Sequence, residues 1–380
     1  MFILEILIYV FFAVIMFHLA QKSLLKYGED PKLDKYLWGY IIFFSLISAF
    51  RWNVGADSVT YIYIFKNGII REGSKEYLWD LFVNLINKLG LHFVFGMGIV
   101  AFMQIFLLVK SINRYKYILL WLPIVLFGGR YFLDLMNGVR QMVVACGFLY
   151  CSRFIIDKKL LHYIIGIFLL SLIHNSGIIL LIFGILYFIP EKKYILSNHR
   201  TTCLIIFLFC FIIGQISSFT WFSKIIEPIF HESGYDHLGA YINNTIKNNE
   251  LEKLSFGPIM FSFFLISLIL IIYSPALYEK YESKIKYFNI WYLGSYIFSC
   301  LYFLLNGISH ITVRLAQYFE FFLVIMVSLL LSFFYERRSQ HQTILYGFIL
   351  IIWICTIIGI YKVSWLSVDS ITYKMFFGRI

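Results

Sequence analysis

Long apolar runs at about 2–20, 203–219 and 259–273 do most to decide what this chain can become. Wound as a helix, ~20 residues cross the ~30 Å hydrocarbon of a bilayer. Inside lipid the backbone has no water to bond to, so only helices or a closed barrel can span it. These runs are continuous rather than alternating, which selects helices. Composition agrees, with 61% of the 380 residues hydrophobic and 14% charged, against about half and a quarter in a soluble domain. The expected fold is all-α: a polytopic membrane protein forming one membrane domain over residues 1–380, without internal repeats. The run at 2–20 has no positive n-region and no small-residue cleavage site, so it reads as a retained helix. The six cysteines fall in apolar runs without a CxxC pair, which implies neither a zinc site nor a disulfide framework. A net charge of +11 would suggest nucleic acid in a soluble chain. Here it belongs to cytoplasmic loops, which collect Lys and Arg, and no nucleic-acid partner is expected.

Hydropathy places about 12 transmembrane helices (range 10–12). They run at about 2–20, 36–50, 91–109, 118–129, 138–156, 203–219, 258–273, 288–305, 314–334 and 343–361, with two short helices within 160–190. The loop QKSLLKYGEDPKLDKY carries four lysines, which makes it cytoplasmic and sets the N-terminus outside. Residues 51–89 are then external, with an amphipathic piece (Tyr77, Leu78, Leu81, Phe82, Leu85, Ile86) along the interface. Both flanks of 160–190 are basic, so that segment is a hairpin rather than one tilted helix. It turns at His174-Asn175-Ser176-Gly177, with Gly177 free to go left-handed. Such half-helices are tolerated where they line a protein-walled cavity. The loops assigned to the cytosol hold 18 of the 32 Lys and Arg, a narrow majority. It is narrow because Arg51, Arg130, Arg140 and Arg314 fall at external ends of spans, as does His174.

Those exceptions point to a site. An arginine near hydrocarbon costs at least ~2.5–3.5 kcal/mol, so a water-filled cavity or an anionic ligand should offset it. Asn137, Arg140 and Gln141 stand three and four apart and share one helix face. Arg140 either binds an anion there or snorkels to the interface. In Arg51-Trp52-Asn53-Val54-Gly55-Ala56-Asp57, followed by Tyr61, Arg51 offers a phosphate ligand that Asp57 orients. The plainer alternative is a headgroup anchor with Asp57 as helix N-cap. His174 is either a base or a backbone-bonded turn residue. Arg314 has His310 and Tyr318 at helical spacing on either side, and Arg130 with Asp134 reads as a local i,i+4 ion pair. The external loop 220–257 contains Trp221, His231, Glu232, Tyr235, Asp236, His237 and Tyr241, which suits sugar recognition and a lid. No spacing in it is diagnostic of a metal, and no cofactor is expected.

Taken in order, R-x-x-V-G-x-D-x-x-x-Y from Arg51 to Tyr61, N-G-x-R-Q from Asn137 to Gln141, and H-N-S-G from His174 resemble a known pattern. Gly307 and Arg314 in GISHITVRLAQYFE, with Tyr318, extend it. The pattern is that of the EpsG-like family of bacterial polysaccharide polymerases, grouped with the Wzy-type O-antigen and capsule polymerases. It covers most of the chain as ordered landmarks. The resemblance implies a fold similar to GT-C-type membrane glycosyltransferases and a metal-independent glycosyl transfer at the outer face of the bacterial inner membrane. The implied partners are an undecaprenyl-pyrophosphate-linked glycan donor and acceptor, membrane lipid and a chain-length regulator. Such a transfer gathers negative charge on the leaving pyrophosphate, which preplaced guanidinium groups stabilise. Arg51, Arg140 and Arg314 fill that role on this reading. The acceptor hydroxyl must lose a proton, and His174, an imidazole that ordinarily titrates near neutrality, is the candidate base. Asp57, Tyr61, Asn137, Gln141 and Tyr318 support them. A lipid-linked oligosaccharide flippase and a membrane O-acyltransferase of glycans are the rival readings. Against the first stands the lack of the paired halves common in transporters.

Overall fold

In the computed structural model, residues 2–52, 54, 57–68, 75–191, 196–216, 257–306 and 312–366 are described. Every regular element among them is helical. In chain order these are α1 (Phe2–Tyr27), α2 (Lys35–Ala49), α3 (Ser58–Asn67), α4 (Tyr77–Lys88), α5 (Phe93–Ile112), α6 (Lys116–Gly128) and α7 (Tyr131–Asn137). Next come α8 (Val139–Ile156), α9 (Leu160–Ser171) and a 3₁₀ helix (Asn175–Tyr187). The chain continues with α10 (Arg200–Gln215), α11 (Pro258–Tyr281), α12 (Phe288–Asn306), α13 (Val313–Gln317), α14 (Glu320–Glu336) and α15 (Arg338–Leu366). Six of the described helices are individually long and apolar enough to cross a membrane, or seven with the bent pair α6–α7 counted as one span. Four more are apolar but shorter. Each expected span has a helix in its place, so the polytopic all-α fold stands. The lid expected at 220–257 lies, but for Gly257, outside the described residues, as do Asn53, Gly55, Gly307 and His310.

The bundle closes around α14, whose residues from Glu320 to Phe334 are all buried. It packs on α6, α8, α11, α12 and α15. Outward-facing positions of the peripheral helices are bulky and apolar: Phe11 on α1, Phe95 on α5, Phe168 on α9 and Phe209 on α10 are all exposed. In water such a surface would aggregate; in lipid it is the expected exterior.

The segment 160–190 is a hairpin, as its basic flanks predict. Its arms pack together, with the Tyr163 hydroxyl donating to Leu180 O at 2.5 Å. At the open end Lys158 Nζ donates to Tyr187 O at 2.8 Å. Twelve α-helical residues reach only ~18 Å. Thirteen residues wound as 3₁₀, at ~2 Å each, reach ~26 Å, so tighter winding lengthens the short second arm. Gly177 does not take the left-handed conformation expected of it. It is small because α8 passes close by, where an added Cβ would meet Val144 Cγ1 at 2.8 Å.

The basic loops meet at one end of the bundle. Asp34 caps α2 by accepting from Tyr36 N at 2.9 Å, and also receives Lys116 Nζ at 3.0 Å. Beside them Asp157 pairs with Lys286 at 2.6 Å, and Asn289 Nδ2 donates to Glu191 at 3.0 Å. The opposite end gathers Arg51, Asp57, 130–141, 174–177 and 312–318.

Candidate functional site

The site grows from a break. The run α6–α7 bends by 71° at Gly128-Gly129-Arg130. Arg130 itself takes the left-handed region, with φ of 68°. A non-glycine residue held there costs on the order of 1–3 kcal/mol, and such strain collects at functional sites. The break leaves α7 short and its C-terminal carbonyls buried in the bundle, where they need donors. Gln104 Nε2 on α5 donates to Leu135 O at 3.0 Å and to Val139 O at 3.1 Å. Arg51, only 3% exposed, gives Nη1 to Ser48 O at 2.8 Å and Nη2 to Met136 O at 3.1 Å. Its guanidinium is therefore turned to backbone carbonyls rather than to open space. Asn137 closes the turn by accepting from Asp57 N at 2.9 Å. Asp57 occupies the N-cap position of α3, but its side chain makes no capping bond.

Beside the break is a cavity of about 280 Å³. Its walls carry Arg130, Asp134, Asn137, Gln141, Arg314, Gln317 and Glu320, with Tyr131, Phe263 and Tyr302 among the apolar lining. Arg314 is exposed, and Gln141 Nε2 donates to its backbone carbonyl. Among the described residues Arg130 and Asp134 close no direct salt bridge, contrary to the sequence expectation, although the Arg130 charge still acts on the Asp134 carboxyl. The Arg130 Nε has no hydrogen-bond partner among the described residues. The Asp134 carboxyl shares the cavity wall with that of Glu320.

Arg140 and His174 stand in a second cluster, and Glu76 joins them. Arg140 Nη1 is paired with Glu76 Oε2, while His174 Nδ1 lies 2.7 Å from Glu76 Oε1. Asn175 N donates to the same oxygen at 3.4 Å, and Leu78 N at the start of α4 donates to Leu172 O at 3.0 Å. Tyr61 lies alongside Arg140, whose guanidinium carbon is 5.8 Å from the Trp79 ring centroid. Burial pushes the Glu76 carboxyl up. The hydrogen bond from His174 and the Arg140 charge more than reverse it, holding the group below the usual carboxylate range. The charge of Arg140 is thus offset by a residue of the chain, where the sequence suggested a cavity or a ligand. With Nδ1 facing Glu76, His174 keeps Nε2 as a possible proton acceptor.

The two clusters touch. The Ser176 hydroxyl is 2.5 Å from that of Tyr318, so the hairpin tip bonds to the segment carrying Arg314. Of the expected site residues, Asn137, Gln141 and Arg314 line the cavity, with Tyr318 bonded at its edge. Arg140 and His174 flank Glu76, with Tyr61 beside Arg140, and Arg51 and Asp57 brace the break. Sequence reasoning missed Glu76, Glu320 and Gln104. Glu320 carried a readable signal, being a lone acid at the head of an apolar span, which marks function by default. Glu76 carried little: an acid ahead of an amphipathic helix passes for an N-cap. Among the described residues no group of three or more His, Cys, Asp or Glu could hold a metal.

No curated protein and no solved structure matches the chain. The sequence model of the EpsG family matches residues 35–375, a stretch that contains the break, the cavity and both charged clusters. The chain belongs to the EpsG family, a family of Wzy-like polysaccharide polymerases.

Proposed function

We propose that the protein joins undecaprenyl-pyrophosphate-linked oligosaccharide repeat units into O-antigen or capsular polysaccharide, by glycosyl transfer at the outer face of the inner membrane. The observation that carries this reading is a cavity inside a membrane bundle, with Arg130 and Arg314 on its wall, in a chain of this family. Two guanidinium groups on one cavity wall suit a pyrophosphate, which each can grip through two oxygens. As the sugar–phosphate bond breaks, charge builds on the leaving pyrophosphate, and donors already in place stabilise it. Tyr302 and Phe263 give the sugar apolar faces. At about 280 Å³ the cavity falls just below the ~300–1,000 Å³ range of ligand pockets. It admits the reacting sugar and its phosphates, with the remaining sugars outside. Gly257, where the 220–257 loop ends, is part of the wall, which suits that loop as a cover. His174 is held by Glu76, which Arg140 keeps charged, and this cluster fixes the hairpin tip whose Ser176 bonds Tyr318 beside Arg314. Arg51 supports the break instead of touching substrate.

Charge supports the outer face. The end of the bundle bearing Lys116, Lys158 and Lys286 suits the cytosol, which leaves the cavity on the other side. The test is complementation of a deletion strain. Wild-type protein should restore the ladder of long glycans, and Arg314→Ala, present in the membrane at normal amount, should leave single units on the outer face. Long glycans in the deletion strain, or repeat units stranded on the inner face as for a flippase, reject the proposal.

A further inference from the structure

The cavity contains an acid pair to which neither the family match nor the arginine chemistry gives a role. Glu320 is the first residue of α14 and only 2% exposed, yet it lines the cavity. Its Oε1 has no hydrogen-bond partner among the described residues. Its carboxyl faces that of Asp134, from α7 across the cavity wall. Two carboxyl groups side by side on a buried wall do not both ionise, since like charges so close repel, and they hold one proton between them. The pair then holds one proton and one negative charge, with an open oxygen, beside the two arginines that the proposed reading gives to pyrophosphate.

We infer that the Asp134–Glu320 pair is the catalytic proton acceptor within the cavity, taking the proton of the sugar hydroxyl that attacks the donor. This inference rests on the polymerase reading and assigns its base to a different place from His174. Unlike Glu320, His174 is not on the cavity wall. In the step, the acceptor hydroxyl gives its proton to Glu320 Oε1 and the shared proton settles on Asp134, so that both acids end neutral, while the hydroxyl oxygen bonds to the anomeric carbon of the donor glycan. The bond from that carbon to the pyrophosphate oxygen breaks, and its electron pair leaves with the lipid pyrophosphate, beside Arg130 and Arg314. The proton is later released to water. A positioned base typically contributes ~10²–10⁴-fold.

The test uses purified full-length protein in detergent, with lipid-linked repeat units extracted from the deletion strain as donor and acceptor. Glu320→Gln keeps the shape and removes the proton acceptor. It should lower kcat at least a hundredfold with KM within about threefold. Glu320→Ala should be equally slow and partly restored by added formate, which a structural defect would not respond to. If Glu320→Gln does not reach the membrane, Asp134→Asn serves in its place and should lower kcat in the same way. A kcat within threefold of wild type, or a loss confined to KM, overturns the assignment. Either result leaves the polymerase reading intact if wild type still elongates and Arg314→Ala does not. A wild-type protein that fails to elongate this lipid at all defeats both.

Discussion

Glu76 holds the Arg140 guanidinium, the His174 ring and one backbone N–H, so a single side chain decides whether α4 stays docked on the hairpin turn. Glu76→Gln leaves Arg140 without its counter-ion and should cost on the order of 2 kcal/mol. The loss should be visible as a lower melting temperature in detergent. The sign of the pH dependence follows from the depressed carboxyl. Its contribution to stability is complete above the ordinary glutamate value of ~4.3 and is lost as pH falls through the lower folded value. The difference in melting temperature between wild type and Glu76→Gln should therefore be constant from neutrality down to about pH 5 and shrink below it. Arg51 and Arg314 part company at this scale too. Arg51→Ala strips donors from two buried carbonyls and should reduce the amount of folded protein. Arg314→Ala should leave the fold intact and lower elongation by roughly 10²–10³-fold, as losing a charge-stabilising donor typically does. The sequence could tell that both arginines sat at span ends. It could not tell which one faced carbonyls, because Met136 lies 85 residues from Arg51 and only the bend brings them together.

Among the helices, what could be read in advance followed from patterns within one segment. Basic flanks gave the 160–190 hairpin, and apolar periodicity gave α4. That helix turns Trp79, Val83 and Ile86 inward, while Leu81 and Leu85 stay exposed. The bend at Arg130 was hidden, since Gly128-Gly129 reads equally well as the end of a span. Close helix contacts were hidden as well. α10 meets α12 at Gly214, where an added Cβ would lie 1.9 Å from Phe303 O. Backbone cannot retreat as a side chain can, so Gly214→Val should separate these helices and reduce the protein recovered from membranes, as measured by an epitope tag. Recovery equal to wild type would show that α10 and α12 do not touch there.

For the molecule as a whole, the segregation of charge makes a sidedness prediction. The six native cysteines are buried or half-buried, so a single introduced thiol can be read against a quiet background. Cysteine at the exposed Lys88, on α4, should react with an impermeant maleimide on intact spheroplasts. Cysteine at the exposed Lys284, in the loop between α11 and α12, should react only after the membrane is opened. The reverse pattern would invert the bundle and remove the periplasmic reading of the site.

A reaction chamber that encloses little more than one ring leaves the identity of a long repeat unit to be judged elsewhere. On the proposed reading, bond-making and recipe-checking are separate departments of the same machine. Transplanting the stretch that ends at Gly257 from a relative with another diet should therefore retrain this enzyme's taste, whereas repainting the chamber walls should merely stop it working.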